Sequence, residues 1–121
     1  MSPLVLFALD VPRTAAFYES ILGGHAVDEG ACSRVTSEID EVLVHDIPAE
    51  IAATIEIASP PVAREDTPMK PVFIVDDVDA TIARAETHGG QTIGRGFTYE
   101  GRRYQDVLDP EGNVIQLRGN A

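Results

Sequence analysis

The chain has 121 residues, 44 % of them hydrophobic, with no Trp, so it is long enough for one domain around a mostly aliphatic core. Nine Lys and Arg against twenty Asp and Glu give a net charge of −11, which disfavours phosphate backbones and anionic membrane surfaces. Cys32 is the single cysteine, so no internal disulfide or Cys-rich zinc site can form.

In chain order, Pro3 to Leu9 is a short apolar run that reads as a buried strand. Asp10-Val11-Pro12 opens a helix, since Asp accepts free N–H groups and Pro suits a first turn. Phe17 with Ile21 and Ala15 with Leu22 fall on one helical face, and Gly23-Gly24 ends the helix. Shorter β segments follow at His25 to Asp28, Cys32 to Ile39, Glu41 to Asp46 and Thr54 to Ala58. Residues 59–68 hold three prolines and read as a linker between a module at about 1–58 and another at about 69–121. The pattern then restarts. Pro71 to Val75 reads as a strand, Asp77-Val78-Asp79 opens a second helix, and His88-Gly89-Gly90 closes it. Gln91 to Gly94, Arg103 to Leu108 and Val114 to Leu117 read as strands, the last two joined by the turn formers of 109–113. The rhythm is an internal duplication, with Asp10 matching Asp77 and Gly23 matching Gly89. A ferredoxin-like pair of α+β units would show a similar rhythm. No basic segment precedes an apolar run, and no apolar stretch is long enough to span a bilayer, so a soluble cytoplasmic protein is expected.

Three segments carry a more specific resemblance. Asp10 to Tyr18 with its sequel Ile21-Leu22-Gly23, Phe73 to Ala80, and Asp109 to Leu117 together resemble the vicinal oxygen chelate superfamily of glyoxalases, bleomycin-resistance proteins and extradiol dioxygenases. That resemblance implies an α+β fold of two βαβββ modules forming a cupped mixed sheet around a cavity, with helices on the outside, and a homodimer. It also implies metal-ligand positions on the first and last strand of each module, here Pro3, Glu56, Lys70 and Gln116. Proline has no side-chain donor, an ammonium repels a cation, and Gln116 offers a neutral amide oxygen, so no metal and no cofactor are expected. His25 and His88 read as surface residues at helix ends, and His45, alternating with Leu43, reads as a structural or cavity-facing residue.

Strand alternation then gives a ligand cup. Val5, Phe7 and Val72 form an apolar base, and Thr54, Glu56, Lys70 and Gln116 a small polar group. An inward Lys70 needs Glu56 or a ligand anion as partner. Tyr99, Glu100, Arg102, Arg103 and Tyr104 form a polar cluster that reads either as a cavity rim or as a solvated loop. The functional expectation is a metal-independent small-molecule-binding protein. The alternatives are a lyase, isomerase or dioxygenase acting on a small carbonyl or aromatic substrate, with Glu56 as base in the metal-free case, and a ligand-sensing module without chemistry.

Overall fold

A computed structural model describes residues 3–64 and 69–121. The first unit is β1 (Leu4–Ala8), α1 (Val11–Leu22), β2 (His25–Asp28), β3 (Cys32–Thr36) and β4 (Glu41–Asp46). A one-turn helix, α2 (Ala49–Ala52), begins the connection. The second unit is β5 (Val72–Ile74), α3 (Val78–Thr87), β6 (Gln91–Tyr99), β7 (Arg102–Leu108) and β8 (Val114–Asn120). Each unit is βαβββ, and the sheet orders β1-β4-β3-β2 and β5-β8-β7-β6 are the same topology twice. The closing strand runs parallel to the opening one in both, and the remaining pairs are antiparallel. Two separate mixed sheets rule out the ferredoxin-like alternative.

The helix signals act as their chemistry requires. Asp10 accepts from Arg13 N at 3.1 Å and Asp77 from Ala80 N at 3.0 Å, which fixes the start of α1 and α3. Gly23 ends α1 in the left-handed region at φ 65°, where a Cβ would be strained. Strand β3 stops at Thr36, short of Ile39, because Ser37 turns the chain. Its backbone N–H donates to Asp40 O at 2.9 Å, and its hydroxyl accepts from Asp40 N at 3.0 Å. Strand β6 continues past Gly94 to Tyr99 through a bulge between Ile93 and Phe97. The Gln105 amide stabilises that bulge by donating to Ile93 O at 3.0 Å. Tyr99 and Arg102 are therefore paired strand residues of a hairpin, not a loop.

The expected strand at Thr54 to Ala58 is absent. Thr54 N–H and its hydroxyl both donate to Ile51 O, continuing the turn of α2, and the segment pairs with no strand. Strand β4 closes the first sheet instead. Of the linker, residues 65–68 lie outside the described residues.

One core serves both modules. Phe17, Tyr18, Ile21, Val35, Val42 and Val44 share it with Phe73, Val107, Ile115 and Leu117. Helix α1 packs on β3 and β4, α3 packs on β6, β7 and β8, and the helices pack on each other. The Tyr18 ring lies 6.0 Å from Phe73 of the other module. Gly90 permits this closeness, since a Cβ there would meet Phe17 at 2.4 Å. The helix pair thus lies between the sheets, and the other face of each sheet is left uncovered.

Candidate functional site

Alternation along the edge strands decides what those uncovered faces present. Leu4, Leu6 and Ala8 of β1 turn toward the helices, and Phe73 does so on β5. Val5 and Phe7 on β1 and Val72 and Ile74 on β5 turn away and are 51, 54, 46 and 52 % exposed. They are four of the eleven large apolar side chains exposed among the described residues, and they share the two sheet faces turned away from the helices. The registers match the two faces residue by residue. Val5 pairs with Leu43 and Phe7 with His45, as Val72 pairs with Gln116 and Ile74 with Arg118.

The face of the second sheet carries the richer polar set. Lys70 donates to Asp106 Oδ2 at 3.0 Å, and Gln116 Nε2 donates to Asp106 Oδ1 at 3.1 Å. Tyr104 stacks on Phe97 with ring centroids 4.7 Å apart and planes 8° from parallel. Arg118 lies between Tyr104 of β7 and Ile74 of β5. On the first sheet, Phe7 contacts His45 at 5.5 Å, and His45 Nδ1 lies 3.0 Å from Asp46 Oδ1. Arg34 there bridges Glu29 at 3.1 Å and Glu41 at 2.5 Å. The Arg34 hydrogen bond holds the Glu29 carboxyl below the usual carboxylate range.

The expected site residues separate into three places. Val5 and Phe7 lie on the first face, Lys70, Val72 and Gln116 on the second, and Thr54 and Glu56 are exposed on the connection. Lys70 is paired with Asp106, not with Glu56. Within one chain the helix layer stands between the two faces, so they do not close on a common cavity. Leu43, His45, Tyr104, Asp106 and Arg118 also belong to these faces. The pairing of β1 with β4 places Leu43 and His45 and makes Leu43 the counterpart of Gln116, while the β7–β8 register places Tyr104 beside Arg118 and Asp106 beside Gln116.

The turn between β7 and β8 does something different. Glu111, 4 % exposed, accepts from Leu9 N and Asp10 N at 2.8 Å each and from the Thr14 hydroxyl at 3.2 Å. Asp109, fully buried, accepts from Tyr18 OH at 2.8 Å and from Glu111 N, Asn113 N and Asn113 Nδ2. These carboxylates latch the second module to the opening of the first, and their hydrogen bonds are taken up by structure. The corresponding turn between β3 and β4 spans 37–40 rather than a stretch like 109–113, one residue fewer. It stops short of α3 and leaves an open groove of about 620 Å³ between Leu22, Ile39, Asp40, Ile74, Asp77 and Arg84. Desolvation there raises the Asp40 carboxyl above its ordinary value.

Tyr18 gives the latch a pH limit. Burial, and then the Asp109 and Glu111 carboxylates, hold its phenol well above its ordinary value of 10.0. The unfolded chain releases this proton first, so the contribution is complete below about pH 10 and is lost as pH rises toward the folded value. Stability should fall by up to about 1.4 kcal/mol per pH unit in that range. Urea unfolding followed from about pH 9 to about pH 11 should show this slope, and Tyr18→Phe should flatten it. An equal slope in the variant would assign the alkaline sensitivity elsewhere.

The model of the Glyoxalase/Bleomycin resistance protein/Dioxygenase superfamily matches residues 1–117. The chain belongs to that superfamily. Its fold is the superfamily's α+β arrangement of two βαβββ modules with cupped mixed sheets and helices on the outer side of each cup. The chain superposes on a glyoxalase/bleomycin resistance protein/dioxygenase family enzyme from Burkholderia phytofirmans at TM-score 0.72. The identity is 18 %, with 99 % of this chain and 98 % of that one covered. The fosfomycin resistance protein FosX from Mesorhizobium loti gives TM-score 0.69 at 15 % identity, covering 100 % and 92 %. An integron cassette protein from Vibrio cholerae gives 0.64 at 23 %, covering 100 % and 94 %. No curated protein matches the chain in sequence. Among the described residues, no helix is long and apolar enough to cross a membrane.

A divalent ion does not fit the positions the superfamily resemblance points to. With β4 as the closing strand, the set becomes Pro3, Leu43, Lys70 and Gln116. Pro3 and Leu43 have no side-chain donor, Lys70 is a cation held by Asp106, and Gln116 presents its amide N–H to Asp106. Among the described residues, no three His, Cys, Asp or Glu side chains group as a metal site.

Proposed function

We propose that this chain is a metal-independent small-molecule-binding protein that works as a homodimer. Each binding site is assembled from the uncovered face of the first sheet of one protomer and that of the second sheet of its partner. The observation that carries this reading is the set of four half-exposed apolar residues on edge strands β1 and β5. Facing edges would bury Val5, Phe7, Val72 and Ile74 and enclose Gln116, Asp106, Lys70, His45 and Arg118 among apolar walls, the usual make-up of a small-molecule site. The fosfomycin resistance proteins among its structural neighbours, from Mesorhizobium loti and Listeria monocytogenes, are consistent with a small organic ligand.

An isomerase or lyase acting on a small carbonyl or aromatic substrate is the second reading, and His45 favours it. Asp46 and the Asp46 carbonyl both face Nδ1, at 3.0 and 2.8 Å, an arrangement that orients a general base.

A mixed metabolite panel read by thermal shift, with and without a chelator, tests the proposal. A stabilising compound should keep its effect in the chelator and shift the amide resonances of Val5, Phe7 and Val72. Loss of all binding in the chelator, or shifts confined to other surfaces, would refute it. Turnover of the bound compound that disappears in His45→Ala would establish the second reading.

A further inference from the structure

We infer that Arg118 is the anion receptor of the proposed site and that the ligand is a small organic carboxylate on an apolar or aromatic body. The inference rests on the reading that the two uncovered faces form that site, and it adds the ligand class.

Arg118 is partly buried at the middle of the second sheet's face, between Ile74 on one side and Tyr104 on the other. In a chain of net charge −11, no carboxylate or carbonyl among the described residues pairs with its guanidinium. Among the other cations, Arg13, Arg95 and Arg102 are exposed to water, whereas Arg118 is partly buried. Arg34 holds Glu29 and Glu41, Lys70 holds Asp106, Arg84 donates to Ser20 O, and Arg103 binds Asp79. Asp106, the acid one register step away, already accepts from both Lys70 and Gln116, so Arg118 is left over by the local pairing. The opposing face offers no substitute, because Glu41 is bound by Arg34 and Asp46 faces His45.

The surroundings define the rest of the ligand. Ile74 aligns with Arg118 on one side, and Tyr104, stacked on Phe97, aligns with it on the other. A planar guanidinium fork matches a carboxylate with two parallel hydrogen bonds. With Lys70 paired to Asp106 and Arg102 exposed at the hairpin end, Arg118 is the partly buried cation at the middle of this face. A carboxylate on Arg118 with its ring or chain against Ile74 and Tyr104 gives this guanidinium the anionic partner it lacks.

The test titrates the intact protein with benzoate, its neutral isostere benzamide, and phenylphosphonate, following the amide resonances of Ile74 and Tyr104. Benzoate should bind at least about tenfold tighter than benzamide, about 1.4 kcal/mol. Arg118→Gln should reduce benzoate to the benzamide level and leave benzamide unchanged. Arg95→Gln, which removes the same charge from the exposed bulge of β6, should leave the tenfold preference intact. Equal binding of benzoate and benzamide, or an equal loss in Arg95→Gln, overturns the inference and leaves the site reading standing, provided Ile74 and Tyr104 respond. Tighter binding of phenylphosphonate than of benzoate overturns the carboxylate assignment. No response at Ile74 and Tyr104 to any of the three overturns both the inference and the site.

Discussion

Glu111→Ala is expected to destabilise the fold by about 3–5 kcal/mol, the range for removing one partner of a buried charged network. The side chain is 4 % exposed, so truncation leaves space that water cannot easily fill. Two backbone donors, Leu9 N and Asp10 N, lose acceptors at 2.8 Å, and the Thr14 hydroxyl loses one at 3.2 Å. Each buried donor left unsatisfied costs about 1–3 kcal/mol. Arg64 also loses its carboxylate, 3.8 Å away, though it keeps Glu111 O at 2.9 Å through Nε. Glu111→Gln keeps the shape and one acceptor oxygen, so its loss should be smaller, about 1–3 kcal/mol. Urea unfolding of the three proteins at neutral pH decides this. A loss under about 1 kcal/mol in Glu111→Ala would mean that the donors find other acceptors and that the turn does not latch the modules.

That latch shows where sequence reading stops. Asp109-Pro110-Glu111-Gly112-Asn113 reads as a turn, and it is one. Its composition does not say that two of its carboxylates are buried against another module, because Leu9, Thr14 and Tyr18 are remote in sequence. The duplication was legible because its cues are local. Asp10 and Asp77 cap their own helices, and Gly23 turns its own chain. The superfamily resemblance extended those cues to the correct pair of modules. Strand identity failed at Thr54 to Ala58 for a physical reason. Ile55 and Ile57 are half-buried and Glu56 is exposed, so the segment has the period-two pattern of a strand without a ladder partner. The partner slot beside β1 is already filled by β4, a pairing across some forty residues that no local pattern reports. Glu56 was misplaced by the same step, and with it the expected partner of Lys70. Asp106 could be found only from the β7–β8 register, which sets it opposite Gln116. Val5, Phe7 and Val72 were legible as one face of their strands. That their faces lie on opposite sides of the helix pair was not, because helix-on-helix packing depends on Phe17, Tyr18 and Gly90 meeting across the modules.

Phe7→Asp and Ile74→Arg should each convert the proposed dimer to monomers. Each places an uncompensated charge at an edge that the dimer would bury, and the twofold axis places it there twice. Removing one such charge from water costs several kcal/mol, so dimerisation should weaken at least about a hundredfold, with about 1.4 kcal/mol for each factor of ten. Light scattering over a concentration series reads this directly, and wild-type protein that stays monomeric at high concentration would end the dimer proposal. Mixing the two variants distinguishes how the faces meet. If the first sheet of one protomer faces the second sheet of its partner, the mixed dimer holds one altered site, where the introduced carboxylate and guanidinium oppose each other. Its other site joins an unaltered Phe7 to an unaltered Ile74. Dimers and ligand binding should therefore return on mixing. If like faces met like, each altered residue would oppose an unaltered apolar one, and mixing would restore neither. Recovery in the mixture, with none in either variant alone, is the result expected from two half-sites carried on opposite sides of one helix layer.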